Sequence, residues 1–156
     1  MGSEVARIID QHDRALHGGA WHGDAVWEIL CGITPEQAFA RPVAAGHTIW
    51  ELVAHMTFWE TEVLRRIQKL PAQSEKELNF PKMPPPTEEN WEQALNGLRR
   101  SNAEFSKCVG ELDESRLEEP LSAPEKTIYV ELHGVIQHHL YHGGQIALLK
   151  KTFGNK

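Results

Sequence analysis

The chain has 156 residues, 40% hydrophobic and 24% charged, enough for one domain with a real core and too few for two of ordinary size. A formal net charge of −6, with basic residues adjacent only at Arg65-Arg66, Arg99-Arg100 and Lys150-Lys151, argues against a nucleic-acid partner. No run approaches the ~18 apolar residues of a membrane span, and the amino terminus lacks a basic stretch ahead of an apolar one, so a cytoplasmic protein with no membrane partner is expected.

Val5, Ile8, Ile9, His12 and Leu16 recur at spacings of three and four behind Ser3, the pattern of an amphipathic helix with an N-cap. Gly18, Gly19 and Gly23 interrupt it, and after Asp24 the run Val26, Trp27, Ile29, Leu30 and Ile33 resumes the period. The spacing predicts a first helix in two pieces. Cys31, at the end of the second piece, and Cys108 fit no metal or disulfide spacing and read as two buried free thiols. Thr34 ahead of Pro35 and Gln37 favours a brief helical turn, closed by Pro42 and Gly46.

Thr48 can cap the strongest helix, Ile49 to Leu70. Ile49, Leu52, Val53, Met56, Trp59, Val63 and Ile67 form one stripe, His55 sits beside it, and Glu60, Glu62, Arg65, Arg66 and Lys69 are read as leaving it. Residues 71 to 86 hold five prolines and no helical period, which predicts a long crossing loop. Thr87, Glu88 and Glu89 open the next helix, with Trp91, Leu95, Leu98, Phe105 and Val109 inward. The polar stretch "GELDESRLEEPLSAPEK" is a second connection with room for one short turn. The last helix is predicted from Thr127 to about Lys151. No strand-like alternation competes, so the fold class is all-α, a four-helix bundle with long crossover loops and one domain over residues 1–156. The five tryptophans, Trp21, Trp27, Trp50, Trp59 and Trp91, read as core and boundary packing.

Nine histidines are the compositional anomaly, and three of them fall in "HHLYHGGQ" at residues 138–145. At about 100° per residue, Ile128, Val135, Ile146 and Leu149 define the inward face of the last helix, with His142 near its centre and His138 one turn back. An i, i+4 pair brings two imidazoles close enough to share a metal ion. His139, three residues before His142, is disfavoured only modestly by spacing. His55, between Leu52 and Trp59, is the natural third ligand, and three imidazoles would leave coordination positions open, as in catalytic sites. His22 and His47 sit in loops near the bundle ends.

The stretches "WHGDAVWEILCGITPEQAFARP", "GHTIWELVAHMTFWE" and "HGVIQHHLYHGGQIALLKK" resemble, in that order, the DinB/YfiT-like superfamily of four-helix-bundle metalloenzymes. The motif His138, His142, Gly144, Gln145, Ile146 is the most specific part. The resemblance implies that His55, His138 and His142 bind a divalent metal, which selects His138 over His139. It also implies zinc or nickel ahead of Fe, Co or Mn, and an all-imidazole set suits several of these ions. Gln145 is a candidate to orient a ligand ring, and Glu131 is either an acid near the site or a boundary charge. Relatives in that superfamily include transferases that use thiols such as bacillithiol or mycothiol. The resemblance therefore implies a metal-dependent thiol S-transferase or related detoxification enzyme acting on a small-molecule substrate. The alternatives are a metal-dependent hydrolase and a non-catalytic metal- or ligand-binding bundle; a homodimer is expected in either case.

Overall fold

The computed structural model describes residues 2–154. Its helices are α1 (Glu4–His17), α2 (Val26–Leu30), α3 (Pro35–Phe39), α4 (Ile49–Ile67), α5 (Glu75–Leu78), α6 (Glu88–Gly110) and α7 (Ile128–Lys151). The architecture is all-α: α1, α4, α6 and α7 form the bundle. α4 packs on α6 and α7, and α1 packs on the same two, so the order around the bundle is α1, α6, α4, α7. Among the described residues no helix is long and apolar enough to cross a membrane.

Each long helix begins where a hydroxyl side chain accepts an otherwise unpaired backbone N–H: Ser3 from Ala6, Thr48 from Glu51, Thr87 from Asn90 and Thr127 from Val130. At α4 the cap is reciprocal, because the Glu51 carboxylate accepts the Thr48 N–H at 2.8 Å. That carboxylate is held in turn by Arg41.

The structure departs from the sequence expectations at several points. The two pieces expected of the first helix are present as α1 and α2, but the second stops at Leu30, short of Ile33, and lies across α7. At that crossing a Cβ on Gly143 would come into contact with α2, 3.4 Å from Val26 Cγ2 and 3.8 Å from Ile29 Cδ1, whereas Gly144 faces open space. The proline-rich crossing carries the short helix α5. Where no strand was expected, β1 (Pro120–Ala123) pairs antiparallel with β2 (Lys126–Thr127), a local pairing across a tight turn that needs no long-range pattern. Cys31 is exposed rather than buried: it ends α2, and its carbonyl accepts Lys150 Nζ at 2.7 Å. Trp21 is fully exposed, in the glycine-flanked turn between α1 and α2.

Buried apolar side chains form two clusters. One gathers Trp50, Leu52, Met56, Trp91, Leu98 and Ile146, the other Ile8, Val63, Phe105, Ile128 and Leu132. Between them lies a layer of buried polar groups: His12 on α1, Glu60 on α4, Ser101 and Asn102 on α6, and His139 and His142 on α7. The glutamates read as leaving the α4 stripe are in fact buried. Glu62 is met by Arg66 and by the Gln73 N–H, both at 3.1 Å.

Because Thr48 sets the first turn of α4, Thr48→Ala should lower stability by about 1 kcal/mol in urea denaturation while Thr48→Ser stays near wild type. Equal midpoints for Ala and wild type would show that the cap does not hold this helix end.

Candidate metal centre

α4 and α7 pack side by side, and three imidazoles meet across their interface. His138 Nε2 lies 2.9 Å from His55 Nε2 and 3.0 Å from His142 Nε2. The His138 and His142 rings stand edge to face, 4.4 Å between centroids, as an i, i+4 pair on one helix face allows. His55 and His142 are nearly buried, and His138 is half-buried at the mouth of the group.

The far side of each flanking ring is occupied by an amide oxygen. Asn79 Oδ1 stands 2.5 Å from His55 Nδ1, and Gln145 Oε1 stands 2.8 Å from His142 Nδ1. The Asn79 amide is oriented by its own Nδ2, which donates to Glu75 Oε1. An amide oxygen only accepts, so both Nδ1 atoms carry the proton and both Nε2 atoms present lone pairs. A proton on His138 Nε2 could serve one neighbour and not both, whereas one cation satisfies all three. Metal–imidazole bonds of ~2.0–2.1 Å place neighbouring nitrogens about 2.8–3.4 Å apart, the range of both short separations here. The group therefore fits a divalent metal ion.

Electrostatics keeps the three imidazoles neutral. Burial, followed by repulsion from His142, His55 and His139, holds His138 down to about 3. Burial likewise lowers His55 and His142, against the raising effect of the Asn79 and Gln145 hydrogen bonds.

Phe80 completes the wall. It stacks on His55 at 4.3 Å and on His47 at 4.1 Å, so the α5 segment closes one side of the site. On the other side a shallow pocket of about 230 Å³ reaches His138, lined by Trp59, Val63, Glu131, Gly134 and Val135. Glu131 thus shares the pocket, but its carboxylate takes the Ser122 hydroxyl at 2.8 Å. Gln145 touches a ligand candidate directly and Glu131 does not. His22 lines a separate groove between α1 and α7.

Sequence reasoning missed Asn79 and Phe80, which sit in a proline-rich stretch without periodicity. It also set His139 aside. That ring is completely buried, with its Nε2 3.3 Å from Glu60 Oε1 in a second group formed by His12, Glu60 and His139.

A family model described as the DinB superfamily matches residues 20–146. No curated protein and no solved structure matches the chain.

His12, His55, His138 and His142 titrate below their ordinary value of 6.5 in the folded state and near it when unfolded. Between about 6.5 and 3 the unfolded chain therefore binds more protons, and stability rises with pH. The metal-free protein should lose stability between pH 7 and pH 4.5 in denaturant titrations. An unchanged or higher midpoint at pH 4.5 would contradict the neutral-imidazole arrangement.

Proposed function

Since this chain belongs to the DinB superfamily, we propose that His55, His138 and His142 hold a divalent metal ion and that the protein is a metal-dependent thiol S-transferase of the detoxification type. The observation that carries this reading is the convergence of the Nε2 atoms of three neutral imidazoles beside an apolar pocket. Zinc or nickel is placed ahead of Fe, Co or Mn on the family resemblance alone, since an all-imidazole set suits several of these ions.

Asn79 and Gln145 hold the His55 and His142 rings in the tautomer that presents Nε2, so the donors stand ready before any ion arrives. A bound divalent cation lowers the pKa of a coordinated thiol and so supplies a thiolate at neutral pH. Phe80 shields the His55 side from water, and Trp59, Val63 and Val135 offer an electrophile an apolar bed beside His138. A low-molecular-weight thiol is the cosubstrate this chemistry requires, and the cytoplasm is where we place the reaction. Hydrolysis is the second reading, because Glu131 lines the same pocket as His138 and is the acid at hand for a general base.

Metal analysis of protein purified without a tag or chelating resin should show that His142→Ala loses the chelator-accessible ion. Asn79→Ala and Gln145→Ala should weaken it by about 10–100-fold. Conjugation of a model electrophile with cellular thiols should disappear with that ion. Conjugation that persists in His142→Ala rules out the transferase reading, turnover with water alone favours the hydrolase, and bound metal without turnover leaves a binding protein.

The homodimer belongs to the same proposal. Val130, Tyr141 and Leu148 share one exposed stripe of α7, the surface through which two copies would meet. Sedimentation should give a dimer that Leu148→Arg converts to a monomer; a monomeric wild-type chain removes this part of the reading.

A further inference from the structure

One layer deeper than the three-histidine site, all four bundle helices converge on a single carboxylate. Glu60 is 0% exposed, its hydrogen bonds come from α1 and α6, and an imidazole of α7 lies beside it. Its Oε2 accepts the Ser101 hydroxyl and, at 2.8 Å, Asn102 Nδ2. The Asn102 amide is fixed in that orientation because its oxygen accepts Trp27 Nε1 at 3.1 Å. Oε1 faces two imidazoles, His12 Nε2 at 2.7 Å and His139 Nε2 at 3.3 Å.

Hydrogen bonding explains His12 and leaves His139 unexplained. His139 is 0% exposed, and the line from its Nε2 to Oε1 is off the hydrogen-bonding direction. Its Nδ1 has no hydrogen-bond partner either. Buried polar atoms are nearly always paired, so a completely buried ring with both nitrogens unpaired, beside a carboxylate oxygen and another imidazole, needs a partner. Charge points the same way. Burial lowers the His12 imidazole and favours its neutral form. Burial would raise Glu60, but the His12 hydrogen bond and the nearness of the His139 imidazole outweigh it and hold the carboxyl down to about 2.

We propose that Glu60 Oε1, His12 Nε2 and His139 Nε2 form a second, internal site for a divalent first-row transition metal ion. Two imidazoles and a carboxylate are a donor set such ions accept. The atoms already lie within 4.8 Å of one another. Ser101 and Asn102 tie back the other carboxylate oxygen, the outer support that ligating carboxylates ordinarily have. Phe105, stacked 3.9 Å from the His12 ring, fixes the plane of that donor. With every ligand 0–1% exposed, the site has no face for a substrate, and its ion is structural, tying α1, α4 and α7 together. The proposal is independent of the role of the outer site: the two share helices but no ligand.

The experiment is a cobalt count on chains expressed in cobalt-supplemented medium and purified without a tag or chelating resin. Wild type should carry two equivalents of Co(II), and His142→Ala should keep one that resists external chelator. Adding Glu60→Gln to His142→Ala should remove that ion. Should the double variant fail to fold, His12→Gln with His142→Ala serves the same purpose, with circular dichroism confirming the fold. A His142→Ala chain with no cobalt overturns the internal site, as does cobalt that persists when Glu60 or His12 is replaced. A single equivalent in wild type that survives His142→Ala but not Glu60→Gln leaves the internal site standing and instead removes the outer one.

Discussion

A carboxylate with no exposure, placed between two apolar clusters, is the constraint around which this bundle is organised. Removing an ionised group from water costs several kcal/mol unless hydrogen bonds replace its hydration. Glu60 on α4 obtains them from His12, Ser101 and Asn102, on α1 and α6, with His139 of α7 beside the same oxygen. Hydrophobic packing alone tolerates small slides between helices, because one leucine fills a gap about as well as another. This layer does not: a shift of one turn on α1 or α6 would take the donors away from the carboxylate. The polar layer therefore sets the axial register of helices whose apolar faces would leave it loose.

Register then places the outer site. His55 lies five residues before Glu60 on α4, and His138 and His142 flank His139 on α7. Once Glu60 and His139 face each other in the core, the neighbouring turns bring His55 against His138 and His142 at the edge of the same interface. The inner group is closed on all sides by four helices. The outer one is closed on one side by Phe80 and reached on the other through the pocket at His138. One packing of two helices thus produces two polar groups of opposite accessibility.

The long helices were legible because apolar periodicity and hydroxyl caps are local signals, and α1, α4, α6 and α7 start where those signals put them. Spacing put His55, His138 and His142 on or beside inward stripes but left His139 nearly as eligible, and it was the family resemblance that singled out the three. Glu60 was misread although spacing marked it: it stands four residues after Met56 and three before Val63, on the buried face. Residue type points to the surface there and position to the core, and a buried carboxylate is identifiable only when its polar neighbours on three other helices are known. Asn79 and Phe80 were beyond reach for another reason. Nothing periodic places a proline-rich crossing, so which of its side chains arrives at His55 is decided by tertiary packing. The β1–β2 hairpin escaped because strands this short carry no alternation to detect.

What the outer site does with protons follows from the same crowding. Three imidazoles pressed together in a partly dry setting repel any charge placed on one of them, which is why His138 is held down to about 3. At neutral pH the donors are therefore already in the form a metal needs, and an incoming cation displaces no proton from them. Without an ion, a proton on His138 Nε2 serves only one of its two neighbours, so one of the pairs at 2.9 and 3.0 Å is left lone pair to lone pair, held there by the packing of α4 on α7 and by the amides of Asn79 and Gln145. A positive ion relieves that repulsion. The affinity of the site for an ion and the stability of the bundle would thus be coupled: the apolar clusters hold the donors in place, and a bound ion would return part of that free energy as folding stability.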